Sequence, residues 1–451
     1  MIGRPVATRS VGLNEGPLPR ILGATSLMAV AVGLMIGSGI FRVPGSVAGS
    51  VGSVGALALL WVTGGVLALF GSMTVAELAC LYPEAGGVYV FLREAYGSLP
   101  AFLYGWTRLL LLVPASIGAI ALIFAAYLRG LVGLPPAADR WLAGSLIAVL
   151  AAVNYRSLLW SALLENAVTA AKVVALAGVA VAAFALGGGG ALSRPVSLAP
   201  TSWPGFGLAL VTVMWTYSGW SSVAALGGEA RDPSRTLPRA LLGGVALVVV
   251  IYLVVNAAYL YVLPMDAMAR SPVIAADAAV RVVGRAGADV VATLVVVSTM
   301  GAVQAALMFN PRIFLAMARD GLLPGPVGRV HERFQTPHVA TLVAALLGIA
   351  YVSVRSFEQL AQAFILGVWP FHILMVWAVF RLRRRRPDAD RPYRTPGYPV
   401  VPALFLFASV AMIMNALFRR PGLTLFGFGL IAAGLPVYAW IRRARRSDAL
   451  R

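Results

Sequence analysis

Gly33-Leu34-Met35-Ile36-Gly37-Ser38-Gly39-Ile40-Phe41-Arg42-Val43-Pro44-Gly45-Ser46-Val47-Ala48 lies in the middle of the first long apolar segment, where a membrane-crossing helix ought to be continuous. Gly37 and Gly39 are poor helix formers, and Ser38 between them readily bonds its own backbone. Pro44 then removes a backbone donor just downstream. In hydrocarbon, freed backbone groups are tolerated only where protein or a water-filled cavity satisfies them. The stretch therefore reads as a broken helix whose amides and carbonyls face a small polar guest. The competing reading is a close-packing site for a neighbouring helix, since small residues serve that purpose too.

The rest of the chain sets the medium. Of 451 residues, 60% are hydrophobic and 12% charged, with a mean hydropathy of +0.85. Soluble domains carry about twice that share of charge. At roughly 20 apolar residues per crossing, the chain is an all-α polytopic membrane protein of about twelve helices. The segments are too long and too unalternating for barrel strands. Spans are expected at 21–49, 54–80, 99–130, 139–155, 158–187, 204–229, 237–263, 286–318, 338–354, 357–380, 398–418 and 422–441. The polar first twenty residues contain no signal-peptide core. A single cysteine, Cys80, excludes an internal disulfide.

The net charge of +19 has a topological origin. With both termini placed in the cytoplasm, inner loops and tails hold 24 Lys/Arg, outer ones hold 9, and Arg42, Arg108 and Lys172 fall within spans. This is the positive-inside asymmetry, and it makes the lipid bilayer rather than nucleic acid the expected partner. Arg383–Arg386 reads as a juxtamembrane stop sequence able to touch anionic lipid.

The sixth span has its own interruption: Trp215-Thr216-Tyr217-Ser218-Gly219-Trp220-Ser221-Ser222 sets small polar residues among three aromatics. That is a poor lipid-facing surface and a reasonable pocket wall. Interrupted segments at corresponding places in two halves point to a transporter built on inverted repeats. Half-helix N-termini offer amides and a positive dipole end to a carboxylate, and half-helix C-termini offer carbonyls to an ammonium. An amino acid carries both groups.

The chain holds 35 arginines and one lysine, Lys172, in the fifth span. An ionisable group there is a functional-site candidate by default. Unlike a guanidinium, an ammonium is compact and loses its proton when buried. Lys172 reads as a proton-coupling amine or as a fixed charge occupying a cation site; a purely structural amine bonded to nearby carbonyls is the plainer alternative. It is expected to reach the break at residues 33–37. Glu77 is expected near the inner end of the second span, within reach of the loops, and Glu165 at the interface. Arg42 and Arg108 read as snorkelling or paired, His372 as a hydrogen-bonded packing residue, and Asn310-Pro311-Arg312 as a kink. No metal cluster, phosphate loop or nucleophile–base pair is visible, so neither a cofactor nor an enzymatic activity is expected.

These residues match a known family in order along nearly the whole chain. Gly37-Ser38-Gly39-Ile40-Phe41, Ala76-Glu77-Leu78 with Pro83-Glu84-Ala85-Gly86-Gly87-Val88-Tyr89 and Arg93-Glu94-Ala95-Tyr96-Gly97, Thr169-Ala170-Ala171-Lys172, Tyr217-Ser218-Gly219-Trp220 with Glu229, Pro233 and Pro238, and Ala316-Met317-Ala318-Arg319-Asp320-Gly321-Leu322-Leu323-Pro324 resemble the motifs of the amino acid–polyamine–organocation superfamily, in its L-type amino acid transporter branch. The resemblance implies the leucine-transporter fold: five-helix repeats over 21–187 and 204–380, and two added helices over 398–441. It places the substrate carboxylate at main-chain groups near Gly37, Ser38 and Gly39. The amine falls at carbonyls near Met35, Ile36, Trp215 and Ser218, beside Gly219 and Trp220. Trp215 stands where the family has an aromatic gate, and Ser221 where some members read the side chain. Lys172 stands at a cation position of sodium-coupled relatives, which implies sodium independence.

Three departures are visible. Ser218 stands where glycine is frequent, Val113 rather than arginine precedes Pro114, and Cys80 lies near the inner face, so no disulfide-linked partner chain is expected. The expected activity is secondary transport of an amino acid, neutral rather than cationic, by proton symport or exchange across the cell membrane. A cationic amino acid or polyamine transporter would want an acidic residue in the pocket. A non-transporting amino acid sensor would want a larger cytoplasmic domain than these loops allow.

Overall fold

The computed structural model describes residues 20, 22–84, 86–156, 173–174, 176–188, 190–191, 200, 202–310, 313–314, 317–318, 320–323, 331 and 338–449. Lys172, Glu165 and Pro311-Arg312 lie outside the described residues, as does the question of whether the lysine reaches the first break. The described chain is almost entirely helical. In order it forms α1 (Ala24–Met35), α2 (Val43–Val51), α3 (Val54–Leu81), α4 (Val88–Tyr96), α5 (Ser98–Thr107), α6 (Val113–Val132), α7 (Ala138–Arg156), α8 (Leu176–Leu186), α9 (Trp203–Thr216) and α10 (Pro233–Val262). It continues with α11 (Met265–Arg270), α12 (Ile274–Phe309), α13 (His338–Val354), α14 (Phe357–Arg385), α15 (Val400–Arg419), α16 (Pro421–Ala432) and α17 (Gly434–Ala449).

Among the described residues, eight helical stretches are long and apolar enough to cross a membrane, and α8 and α13 are shorter apolar helices. The other expected spans fall short for local reasons. α7 carries Asp139, Arg140 and Arg156 in 19 residues, and the sixth span is cut at Thr216 by its own break. Boundaries follow capping chemistry: Ser53 accepts from the Ala56 amide, Ser202 accepts from the Gly205 amide, and Ser356 with Gln359 forms a reciprocal capping box.

At 28 residues, α3 is about 42 Å long, enough to span the hydrocarbon. α10 packs along it, α9 and α15 touch it, and its remaining face, with Leu59, Val62 and Val66, is apolar and exposed, as suits lipid; α1 packs in turn on α10. A second group forms where α6 meets α7, α12, α13 and α14.

The connection between α10 and α12 holds an unexpected feature. α11 and the segment Ile274–Val283, which Gly284 (φ +72°) separates from the rest of α12, form a short helical cover. It is too short and too polar, with Asp277 and Arg281, to register as a span. α11 packs directly on α2.

Glu77, near the end of α3, joins three parts of the chain. It is 2% exposed and accepts from Arg383 Nε (2.9 Å), Arg383 Nη2 (2.7 Å), and the Thr395 amide (2.8 Å) and hydroxyl (2.7 Å). Arg391 Nε lies 3.6 Å away. Arg383 also stacks 3.8 Å over the Tyr398 ring, and Arg386 bonds the Tyr82 hydroxyl. Half of the expected stop sequence is therefore engaged with protein. Removing one partner of a buried, bidentate pair leaves an uncompensated charge, at a cost of about 3 kcal/mol. Glu77→Ala is accordingly expected to lower the thermal midpoint in detergent well below that of Arg384→Ala, an exposed neighbour; equal midpoints would refute the role of the hub.

Candidate functional site

Both sequence breaks are real. α1 ends at Met35, and after Ile36–Ser38 the chain resumes as a 3-10 turn over Gly39–Phe41 and then α2. α9 ends at Thr216, and Gly219 (φ +109°) turns the chain into a 3-10 helix over Trp220–Ala225. A side chain at Gly219 would be strained by its left-handed backbone and would crowd the Leu34 carbonyl. The breaks touch: a Cβ on Gly39 would meet Thr216 Oγ1 at 2.7 Å, Cγ2 at 2.8 Å and Cα at 3.0 Å. Backbone pairing joins the flanks as well, since Leu22 N donates to Glu229 O (3.0 Å) and Arg231 N to Leu22 O (2.8 Å).

The freed backbone groups are partly satisfied from within. Tyr252 of α10, fully buried, directs its hydroxyl at the Met35 carbonyl (2.6 Å) and the Thr216 carbonyl (3.2 Å), one from each break. The Trp215 carbonyl accepts the Ser218 amide (3.1 Å) and hydroxyl (2.6 Å). The amides of Ser38 and Gly39 donate to no group among the described residues.

A cavity of about 550 Å³ runs from these breaks to one face of the molecule. Gly37, Ser218, Gly219 and Ser221 of the expected site line it, with Gly33, Leu34 and Ser222 beside them. Met35, Ile36, Ser38, Gly39, Trp215 and Trp220 stand behind that lining. Trp215 lies edge-on to Phe357 at 5.2 Å, and Trp220 packs against His372 at 5.1 Å. Trp215 therefore belongs to the closure on the opposite face rather than to the cavity wall. There Arg42 Nη2 meets Glu358 Oε1 at 2.9 Å, Arg42 Nη1 donates to Pro272 O at 3.0 Å, and Tyr127 donates to Phe41 O at 2.8 Å.

The cavity mouth lies on the arginine-rich face and is charged. Arg93 contacts Asp320 (3.3 Å), Glu84 (3.2 Å) and Glu94 (3.5 Å), and Tyr89 donates to Asp320. Burial works to lower the Arg93 pKa, and these carboxylates more than reverse it, so the guanidinium is held above its ordinary value. Burial, reinforced by the Asp320 carboxylate, raises the Tyr89 phenol.

Deeper in, the cavity is lined by Arg108, Asn310 and His372, which the sequence assigns to snorkelling or pairing, kinking and packing, and by Tyr104, which it does not single out. His372 does pack, 4% exposed, but its Nδ1 has no hydrogen-bond partner. Arg108's placement follows from Pro114 together with a distant partner, Tyr351. Pro114 cannot donate to the Leu110 carbonyl, the helix relaxes into a π-turn over Arg108–Leu112, and the Tyr351 hydroxyl takes the freed carbonyl at 2.9 Å. The available signal was an arginine deep in a span with a proline one and a half turns later.

Two continuous backbone breaks in contact, opening on one cavity closed at its far end, suit a membrane carrier and offer no catalytic grouping. Residues 22–440 match the amino acid permease family. The chain belongs to that family. It is 30% identical over 440 residues to the serine/threonine exchanger SteT of Bacillus subtilis, covering 96% of this chain and 99% of that one. It is 29% identical to the human cystine/glutamate transporter (91% and 83% covered) and to the rat large neutral amino acids transporter small subunit 2 (96% and 83%). The permease thus sits within the superfamily that its motifs resemble, among transporters rather than enzymes. Its cysteine, Cys80, is buried and unpaired.

The contact between the breaks is testable. Gly39→Ala forces the two breaks apart and is expected to cut substrate uptake at least about tenfold, the scale of an overpacked core. Adding Thr216→Ala removes the two nearest atoms and should recover part of the loss. Wild-type uptake by Gly39→Ala alone would mean that the breaks do not need this approach.

Proposed function

We propose that the permease exchanges amino acids across the cell membrane by alternating access, without sodium. The observation that carries this is the cavity joining both breaks to one face while Arg42, Glu358, Phe357 and Trp215 shut the other. The substrate carboxylate is read by the main chain at Gly37, Ser38 and Gly39; the amides of Ser38 and Gly39, which donate to no group among the described residues, support the assignment. The α-amine is read by carbonyls near Ile36 and Ser218, because those of Met35, Trp215 and Gly219 already accept hydrogen bonds. Ser221, on the lining, faces the side chain.

Neutral substrates are favoured over cationic ones. The carboxylates on the lining, Glu229 and Asp320, belong to the charged mouth, and the deep part carries Arg108. We take the arginine-rich face as cytoplasmic, so that both termini lie inside and the cavity opens inward. We also retain the five-helix units over 21–187 and 204–380 and the added pair over 398–441 as the plan of the fold. Exchange is supported by the relative named as a serine/threonine exchanger. Proton symport is the alternative that Lys172 would serve, as an amine releasing its proton when buried.

Uptake of a labelled amino acid panel into proteoliposomes tests this. Internal amino acid is expected to accelerate uptake severalfold, with sodium without effect and L-lysine a poor substrate. Lys172→Ala is expected to reduce uptake without changing its response to a pH gradient. If the gradient drives wild-type accumulation and Lys172→Ala abolishes that drive, the mode is proton symport. Sodium-driven accumulation would overturn the sodium-independent reading.

A further inference from the structure

The deep part of the cavity carries a positive charge that recognition of the amino acid main chain does not explain. Arg108 has no carboxylate partner among the described residues. Its Nε and Nη2 both donate to Asn310 Oδ1, at 3.0 and 2.5 Å, and its Nη1 donates to the Tyr104 hydroxyl at 2.9 Å. Asn310 in turn donates to the Ala306 carbonyl. The Nε/Nη2 edge of a guanidinium is the fork that binds a carboxylate bidentately. Here it converges on a single neutral amide oxygen, which orients it without neutralising it.

A partly buried charge with only neutral partners is costly, and protein cores ordinarily pair it. Aspartate at position 310 would have done so; asparagine leaves the site one positive charge in excess. At the mouth, by contrast, Arg93 is compensated by Asp320, Glu84 and Glu94. The excess is therefore local to the deep cavity, and the π-turn of Arg108–Leu112 is what presents it there. On the same lining stands His372, buried, with its Nδ1 unpartnered.

We propose that Arg108, oriented by Asn310, is the side-chain discriminator of this permease, favouring an acidic side chain such as that of glutamate over its neutral amide isostere and rejecting cationic side chains. This rests on reading the cavity as the amino acid path. An acidic side chain supplies the missing counter-charge and displaces the Asn310 oxygen from the fork. An amide supplies an acceptor without charge. A cationic side chain meets an unscreened like charge in a low-dielectric space.

The test is competition by unlabelled L-glutamate, L-glutamine and L-arginine against labelled L-serine uptake into proteoliposomes. The same three ligands are titrated in detergent by quenching of intrinsic tryptophan fluorescence. For the wild type, L-glutamate should be about tenfold more effective than L-glutamine, with L-arginine inert. Asn310→Asp and Arg108→Gln should each erase the glutamate advantage, and Asn310→Asp should admit L-arginine. Arg108→Lys should still reject L-arginine while losing part of the preference for glutamate. Equal potency of L-glutamate and L-glutamine on the wild type would overturn the proposal, a result independent of whether any variant folds. So would an unchanged ranking in folded Asn310→Asp and Arg108→Gln. Failure of the wild type to take up or bind any amino acid would instead remove the transport reading on which it rests.

Discussion

A helix can be interrupted inside a membrane only where protein or a water-filled cavity satisfies its freed backbone groups. In this permease much of that burden falls on one phenol. The Tyr252 hydroxyl sits between the carbonyls that end α1 and α9, at 2.6 and 3.2 Å, and so belongs to both breaks at once. It is itself walled in by Trp61 and Tyr217, whose rings lie 5.8 and 5.2 Å from its own. A hydroxyl has one proton, so the two carbonyls compete for it. The breaks are thereby coupled through a shared donor, while the amides of Ser38 and Gly39 donate to no group among the described residues.

The large features of this arrangement were legible in the sequence because they rest on local chemistry. Runs of apolar residues marked most spans to within a few positions, and Gly37-Ser38-Gly39 with Tyr217–Ser222 marked both breaks. What escaped depends on distant partners. Arg108 enters the cavity because Pro114 opens a π-turn that Tyr351, 241 residues beyond Leu110, completes. Arg383 and Arg386 read as topology signals because Glu77 and Tyr82 lie some three hundred residues earlier. The cover of α11 and Ile274–Val283 was too short for any pattern based on crossing length.

The cavity is graded in charge. Its mouth balances Arg93 against three carboxylates, its deeper part holds Arg108 with neutral partners, and beside the breaks its polar groups are backbone and serine hydroxyls. Under the proposed main-chain recognition, which serves any amino acid alike, selectivity falls to side chains on the lining such as Ser221 and Arg108.

The hub at Glu77 bears on how the molecule can deform. Four close hydrogen bonds converge on one buried carboxylate and fasten α3 to the end of α14 and to the strap before α15. Sliding along that seam would strip a buried charge of its partners, whereas the two breaks share a single hydroxyl and the ion pair at the far closure is partly exposed and worth about 1 kcal/mol or less. Compliance is thus concentrated at the interrupted helices and at the Gly284 bend, and rigidity along the seam. Any motion that turns the cavity toward the opposite face has to hinge at the former and carry the latter as a solid block.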